Sequence, residues 1–497
     1  MQQSVIDTVG RQISGFVCPP IGMLVGGEWR EARGGASLPV LDPATGEVIA
    51  AVADASPEDA ADVMDAAAAA FPQWSATSPR QRAALLHDAF LALQERAEEF
   101  AQLITLEMGK PLAESRAEVG YAADFLRWYA EEAVRVTGTF RTAPDGTARH
   151  LTLRQPVGPC LLVTPWNFPL AMITRKVAPA LAAGCTVILK PAEETPLSAL
   201  QFAHVLTEAG LPAGVVNVLN TSRPGPLVET ILRDRRIRKL SFTGSTEVGR
   251  RLLESAAPGV LRASMELGGN APFLVFDDAD VDAAVEGAVA AKLRNGGQSC
   301  VAANRFIVAD EVASRFVDGL AERLRDQVVG PGTDPRSTLG PLINERQRDR
   351  AVGLVDDAVS HGAAPVVHYG TAGPGDAFLK PVLLDRVPPA AEIAREEIFG
   401  PVAAVYRFST EQEGLALANA TESGLVGYVY TQDLNRTIRA VEAMECGMVG
   451  VNRGYVSDAS APFGGVKQSG LGREGSEIGI QEYLETKYAS IDARGFA

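Results

Sequence analysis

The sequence has few cysteines and no long hydrophobic run, and these absences exclude several classes of protein. Its 497 residues include five cysteines, which are odd in number and lack the paired spacing of a zinc site or a disulfide framework. This use of cysteine is typical of a reducing, cytoplasmic compartment. The most apolar stretch, residues 177–189, lies between two lysines and is too short to span a bilayer. The first residues lack the basic start and apolar run of a signal peptide, so we expect a soluble protein.

An excess of positive charge is also missing. The chain carries 46 lysines and arginines against 61 aspartates and glutamates, which gives a formal net charge of −15 at pH 7. A field of this sign repels nucleic acid and anionic membranes, so neither is expected as a main partner. The basic segment 233–239 is the local exception, and we interpret it as a solvated loop that runs into a strand. No metal site is predicted.

The remaining composition, with 46% hydrophobic and 22% charged residues, is that of an ordinary globular protein. Two or more domains are expected, because single cores seldom grow beyond about 250 to 300 residues. Helices are predicted to begin at Ser56 and Ser78, each followed by proline, and a longer one to cover residues 113–136. From Cys160 onward short apolar runs alternate with helical stretches, and a second such region follows from Phe273. This alternation predicts an α/β fold with doubly wound parallel sheets.

Three polar segments follow the predicted strands of the first sheet, at residues 164–167, 190–193 and 243–246. Ligands of such sheets bind beyond the carboxyl ends of the strands, so one crevice is expected to collect all three segments. Residues 244–249 lack the G-x-G-x-x-G fingerprint, but their glycines open a helix whose free N–H groups suit a phosphate. Lys190 and Glu193 suit the hydroxyls of a ribose, and the carboxylate would repel a 2′-phosphate, which favours NAD over NADP. Each feature alone is also ordinary architecture or a surface ion pair.

Cys300 is the candidate nucleophile. It follows a glycine-bearing turn with polar neighbours, where a buried structural cysteine would have apolar ones. Glu266 lies beside another glycine pair, where a carboxylate can be held in a cleft. A thiol and a carboxylate base together indicate acyl transfer through a covalent thioester.

Seven ordered motifs, taken together, closely resemble those of the NAD(P)-dependent aldehyde dehydrogenase superfamily from end to end. They lie at residues 165–169, 190–193, 242–245, 266–270, 297–300, 396–401 and 462–465. The resemblance implies the aldehyde dehydrogenase fold, with an NAD-binding domain at residues 1–138 and 160–267 and a catalytic domain at residues 268–476. It also implies a small β oligomerisation element at residues 139–159 and 477–497, and hence a homodimer or homotetramer.

The resemblance also implies the roles of individual residues. Cys300 would attack the aldehyde, Glu266 would activate water for hydrolysis of the thioester, and Asn167 would stabilise the oxyanion, a contribution of roughly 3 to 4 kcal/mol. Lys176 is expected near the general base. The residues expected to hold the cofactor, NAD with NADP possible, are Trp166, Lys190, Glu193, Gly244, Ser245, Glu397 and Phe399.

For the substrate, the sequence resembles the succinate-semialdehyde branch of the superfamily, in which two arginines and a serine hold the distal carboxylate. Here these are Arg175, Arg294 and Ser457, with Phe463 nearby. Burying two cations is costly unless an anion meets them, which supports a carboxylate ligand. The alternative is that Arg175 lies on a helix surface and Arg294 forms an interdomain ion pair.

Other functions stay open at this stage. Glutarate semialdehyde would meet the same arginines, and a general aliphatic aldehyde dehydrogenase would not need them. A non-catalytic binding or structural protein of the same fold, or a hydrolase without cofactor, are the more distant alternatives.

Overall fold

The computed structural model of this chain describes residues 20–368, 370 and 377–492. Three parts of the sequence discussed above lie outside the described residues. They are the first residues, for which no signal peptide is expected, Cys18, and the last residues of the predicted oligomerisation element. Within them, no helix combines the length and the apolar character that crossing a membrane requires.

The helices begin largely where the sequence predicts caps. Ser56 and Ser78 each form a capping box with the residue three positions on, and the long helix ends at Glu132, four residues earlier than predicted. A further helix, α3, was not predicted, because it begins after Arg96 without a side-chain cap. The helices are α1 Pro57–Ser75, α2 Pro79–Glu95, α3 Ala97–Met108, α4 Leu112–Glu132, α5 Ala171–Ala183, α6 Leu197–Glu208, α7 Pro224–Arg233, α8 Thr246–Ala256, α9 Val281–Leu293, α10 Asp310–Arg325, α11 Glu345–Ser360, α12 Glu411–Asn419, α13 Leu434–Ala443 and α14 Ser476–Gln481.

The strands form two large sheets and three small ones. They are β1 Met23–Val25, β2 Glu28–Arg30, β3 Ser37–Leu41, β4 Val48–Ala53, β5 Thr139–Thr142, β6 Ala148–Pro156, β7 Cys160–Val163, β8 Val187–Lys190, β9 Val216–Val218, β10 Lys239–Thr243, β11 Arg262–Glu266, β12 Ala271–Val275, β13 Ala303–Ala309, β14 Ala364–Val367, β15 Val382–Asp385, β16 Val402–Phe408, β17 Ser423–Gly424, β18 Val426–Tyr430, β19 Met448–Val451, β20 Val466–Lys467, β21 Gly470–Leu471 and β22 Leu484–Asp492.

The first large sheet has the order β2-β1-β9-β8-β7-β10-β11-β21. Its five central strands, β9 to β11 in that order, are parallel, as predicted. The edges are antiparallel, because β1 pairs with β9 and β21 pairs with β11. Strands β7, β8 and β10 are buried throughout, which explains the nearly continuous apolar sequence of β7 and β8; β10 alternates apolar residues with buried polar ones.

The second large sheet has the order β14-β15-β16-β13-β12-β18-β19, and all pairs except that of β14 are parallel. A separate antiparallel sheet, β22-β6-β5, contains both segments of the predicted oligomerisation element. The division of the chain into domains stays a prediction. Strand β21 belongs by sequence to the predicted catalytic segment but pairs within the first sheet.

The basic segment 233–239 is only partly a solvated loop. Arg233 and Arg236 are exposed or half-buried and form ion pairs with nearby acidic residues. Lys239, however, is completely buried at the start of β10, where burial lowers its pKa to about 8. The predicted exposure to solvent is therefore wrong for Lys239, which begins β10 and whose side chain lies in the interior of the protein.

Candidate active site

A cavity of about 440 Å³ opens where the carboxyl ends of β7, β8, β10 and β11 meet the loop that carries Cys300. All three polar segments predicted to share a crevice contribute to its wall. Of the predicted site residues, those that line the cavity are Trp166, Asn167, Arg175, Lys190, Glu193, Gly244, Ser245, Glu266, Arg294, Cys300, Glu397, Phe399, Ser457 and Phe463. Lys176 is absent from this lining and lies completely buried behind it.

The nucleophile loop has an unusual backbone that only glycines and an asparagine accommodate well. Asn295, Gly296 and Gly297 have φ angles of 53°, 63° and 76°, in the left-handed region. A Cβ at Gly297 would lie 2.2 Å from the carbonyl oxygen of Gly400, so this position requires glycine. Cys300 follows this turn, where its side chain is half-buried and lines the cavity.

The Cys300 thiol is protonated at neutral pH. Burial is the main reason that its pKa is raised to about 12; the charge of Arg175 lowers it, and the charges of Glu397 and Glu266 raise it. Since the thiolate is the reactive form, attack by Cys300 requires a group that accepts the proton.

Asn167 is joined to the nucleophile loop by its side chain and by its backbone. Its Nδ2 donates to the carbonyl oxygen of Gln298 over 3.0 Å. Its own carbonyl oxygen accepts from Lys110 Nζ at 2.7 Å and from Asn295 Nδ2 at 2.8 Å. The amide donor is therefore held two residues from Cys300, where it suits an oxyanion that forms beside the thiol.

Glu266, at the end of β11, has two buried carboxylate oxygens without a hydrogen-bond partner among the described residues. Burial raises its pKa well above the usual range, and the charge of Glu474 raises it further, whereas Arg175 and Lys176 lower it. A carboxyl with a raised pKa matches the task of a general base near neutral pH.

Glu474, which the sequence analysis missed, connects the predicted residues. Its carboxylate lies 2.5 Å from Lys176 Nζ and 2.6 Å from Arg175 Nε. Burial raises the pKa of Glu474, but the two cations lower it below its ordinary value overall. Lys176 thus acts on Glu266 through a buried cluster of four charges. No local pattern marks Glu474, because it lies 298 residues from Lys176 along the chain.

The end of the crevice nearest β8 suits the adenosine side of a dinucleotide. Lys190 Nζ lies 2.9 Å from Glu193 Oε2, and the carboxylate remains partly exposed. Ser245 caps α8 by accepting from the Val248 amide, which leaves its hydroxyl proton free to donate. A Cβ at Gly244 would lie 2.4 Å from the ring of Phe242, so the close backbone here depends on glycine.

The opposite end of the crevice is aromatic and acidic. The rings of Trp166 and Phe399 meet edge to face with centroids 5.4 Å apart. Glu397 Oε1 accepts from the Gly269 amide at 3.1 Å, and burial raises the Glu397 pKa to about 7. A carboxylate and flat apolar surfaces near Cys300 fit a nicotinamide riboside, so the residues present fit the predicted cofactor.

Arg175 corrects the sequence argument about the two arginines. It is 2% exposed, so it is not a helix-surface residue. Its buried charge is already compensated by Glu474, and its guanidinium lies 3.7 Å from the ring centroid of Phe463. The expectation that both buried cations need a ligand anion is therefore wrong for Arg175.

Arg294 has no such ion pair, although its charge acts on the Glu114 carboxyl. Among the described residues it makes no ion pair and no hydrogen bond, and its guanidinium lies against the rings of Phe168, Tyr455 and Tyr121, at 4.6, 4.8 and 6.0 Å. Ser457, 7% exposed, lines the same cavity. A guanidinium without an ion pair that faces the cavity of Cys300 could accept an anionic group of a ligand.

Comparison with known proteins agrees with this geometry. The model of the aldehyde dehydrogenase family matches residues 29–489. The chain belongs to the aldehyde dehydrogenase family. As an aldehyde dehydrogenase it is an enzyme, and the resemblance drawn from its motifs is confirmed.

Individual relatives are similar over nearly their full length. A succinate-semialdehyde dehydrogenase of Paenarthrobacter nicotinovorans is 55% identical over 445 residues, which are 89% of this chain and 99% of the relative. A glutarate-semialdehyde dehydrogenase of Pseudomonas putida is 46% identical over 94% of this chain and 97% of the relative. The crystal structure of an NADP-dependent enzyme of E. coli superposes with a TM-score of 0.94 at 46% identity, covering 95% of this chain and 98% of the other. The aldehyde dehydrogenase fold is therefore confirmed.

Proposed function

We propose that this aldehyde dehydrogenase oxidises succinate semialdehyde to succinate with NAD. The observation that carries the proposal is the guanidinium of Arg294, which makes no ion pair among the described residues and shares a cavity with Cys300. The similarity to a succinate-semialdehyde dehydrogenase of P. nicotinovorans supports it. Glutarate semialdehyde is the alternative, since the P. putida relative is named for it and one methylene changes discrimination by only about 1 to 3 kcal/mol.

The residues of the chain divide the chemistry between two steps. In the first, the Cys300 sulfur bonds to the aldehyde carbon, and the thiol proton passes to Glu266. The backbone N–H of Cys300 and the Asn167 amide, released from Gln298, hold the resulting oxyanion. In the second, Glu266, having released the first proton to solvent, takes a proton from the water that attacks the thioester carbon. The carbon–sulfur bond breaks, the Cys300 sulfur receives the proton from Glu266, and the carboxylic acid leaves.

A nicotinamide dinucleotide would be held by Lys190, Glu193 and Ser245 at one end and by Glu397 and Phe399 at the other. When bound, it accepts the hydride that converts the thiohemiacetal on Cys300 into a thioester. The carboxylate of Glu193, kept in place by Lys190, favours a free 2′-hydroxyl over a 2′-phosphate. NADP is the alternative, since the E. coli relative depends on it.

The test is a comparison of initial rates of NAD reduction with succinate semialdehyde, glutarate semialdehyde and butanal, which has four carbons and no charge. We expect kcat/KM to be at least a hundredfold higher for succinate semialdehyde than for butanal, equivalent to about 3 kcal/mol. Comparable values would contradict the carboxylate site and indicate a general aliphatic aldehyde dehydrogenase. No turnover with any of the three would contradict the proposal, and a melting temperature unmoved by NAD would favour a hydrolase without cofactor.

We also propose a cytoplasmic homodimer or homotetramer. All four residues of β5, at the edge of its sheet, are exposed, and Phe140 among them is 65% exposed. An exposed edge strand that carries a large apolar side chain favours pairing with a second copy. Light scattering coupled to size exclusion distinguishes the two assemblies, and a monomer would contradict both.

A further inference from the structure

Tyr121, on α4, carries a hydroxyl that has no hydrogen-bond partner within the described part of the chain although the oxygen is completely buried. The residue lines the same cavity as Cys300 and Arg294. Its ring packs edge to face on Phe125, with centroids 5.0 Å apart, so the side chain is held in place. A buried hydroxyl rarely stays without a partner, since it has given up its bonds to water. A ligand that enters the cavity would provide the missing acceptor.

The surroundings of the hydroxyl indicate the charge of that acceptor. Burial raises the Tyr121 pKa to about 12, so the group is a neutral O–H donor at neutral pH. The charges of Arg175 and Arg294 lower that pKa, whereas Tyr455 and the Glu474 carboxylate raise it, so both guanidinium groups lie close enough to act on the phenol. An anionic oxygen placed between the two guanidinium groups would lie within their field and could accept from the phenol.

The two arginines leave room for a third donor. A carboxylate has about four lone-pair sites. Arg175 Nε already lies 2.6 Å from Glu474 Oε2 in an ion pair, and its Nη1 lies 3.7 Å from Met172 Sδ, so only part of its guanidinium can serve a ligand. Arg294 is held by aromatic rings on three sides.

We propose that Tyr121 Oη donates a hydrogen bond to the distal carboxylate of the semialdehyde and is a specificity-determining residue of this enzyme. The inference rests on the proposed function, because it requires a substrate with a carboxylate. It goes beyond the two arginines and the serine, since it assigns a further donor, from α4, in the same cavity.

The test is Tyr121→Phe, which removes only the hydroxyl, with kcat and KM measured for succinate semialdehyde and for butanal. Tyr406→Phe is the matched control: its hydroxyl is also buried without a partner, but it does not line the cavity. A hydrogen bond to a charged group is worth enough to predict a loss of about 10- to 100-fold in kcat/KM for the semialdehyde. We expect the loss mainly as a rise in KM, because the carboxylate is bound equally before and during the reaction. Butanal kinetics should stay within about twofold of wild type.

The outcomes separate this inference from the proposed function. If wild type prefers the semialdehyde and Tyr121→Phe keeps that preference, the inference is wrong and the proposed function stands. If kcat/KM of the wild type is the same for both aldehydes, the proposed function is wrong, and the inference, which depends on it, is wrong as well. An equal loss for both aldehydes in Tyr121→Phe, or the same loss in Tyr406→Phe, would show a general effect of the lost hydroxyl and overturn the inference.

Discussion

Arg175 and Arg294 were predicted from sequence as equivalent partners, but the structure predicts opposite costs for replacing them. Arg175 is buried and lies 2.6 Å from Glu474, whereas Arg294 makes no ion pair among the described residues. Removing one partner of a buried pair leaves the other charge uncompensated, at a cost of about 3 to 5 kcal/mol. For Arg175→Met we expect the lower end of that range, because Lys176 still neutralises Glu474.

Arg294→Met should leave the stability of the protein nearly unchanged. It gives up cation–π contacts of about 0.5 to 2 kcal/mol and gains sulfur–aromatic contacts of about 0.3 to 1.5 kcal/mol with the same rings. It also removes a half-buried charge that has no ion pair among the described residues, so the net change in the free energy of unfolding should stay within about 1 kcal/mol. The catalytic effect should be large, since even one charge-assisted hydrogen bond to the substrate is worth about 1.5 to 3 kcal/mol, or about 10- to 150-fold in kcat/KM.

The assay combines urea unfolding with steady-state kinetics on succinate semialdehyde and butanal for both variants. Arg294→Met should keep the urea midpoint of wild type and its activity on butanal, and lose activity on the semialdehyde. Arg175→Met should lower the midpoint and impair both aldehydes, because it also changes the charge cluster around Glu266. A lower midpoint for Arg294→Met, equal to that of Arg175→Met, would refute the reasoning, since Arg294 would then be a structural residue.

Three further predictions concern the cofactor, the base and the backbone. Glu193→Ser should raise the affinity for NADP relative to NAD by about tenfold, because a charge that repels the 2′-phosphate is lost; fluorescence titration measures the ratio, and an unchanged ratio would contradict the assignment. Glu474→Gln removes a charge that raises the Glu266 pKa, so the acidic limb of the kcat profile should move to lower pH by about 1 to 3 units, and a move to higher pH would show that the cluster acts otherwise. Gly244→Ala places a Cβ 2.4 Å from the Phe242 ring, which should cost about 1 to 3 kcal/mol in urea unfolding, and a neutral result would mean that the ring moves aside freely.

Much of the fold could be predicted because its signals are local. The caps at Ser56 and Ser78 and the apolar runs of β7, β8 and β10 each lie within a few residues of one another. The antiparallel edges could not be predicted, because β21 has only two residues and pairs with a strand some 200 positions earlier. Helix α3 was not predicted for a related reason. Its residues pack against the core, and the helix lacks an N-terminal capping residue that would mark its start in the sequence.

The site shows the same division between local and distant signals. Cys300, Glu266 and Lys190 stand in short motifs whose glycines and neighbours reveal them. Lys176 could be named, but its ion pair with Glu474, within the charge cluster around Glu266, could not.

The ion pairs between charged side chains around the cavity could not be predicted from the sequence. A motif states that a residue is present, but only the fold states which charges are already satisfied. Glu474 follows β21 and forms an ion pair with Arg175 on α5. One of the two arginines predicted to bind the carboxylate of the substrate is therefore already paired within the protein. Tyr121, on a helix with no motif, faces the same region with an unused donor. We therefore expect the specificity of this site to depend on which donors remain free, and by that criterion we expect Arg294 and Tyr121 to contribute more to selecting a carboxylate than Arg175 does.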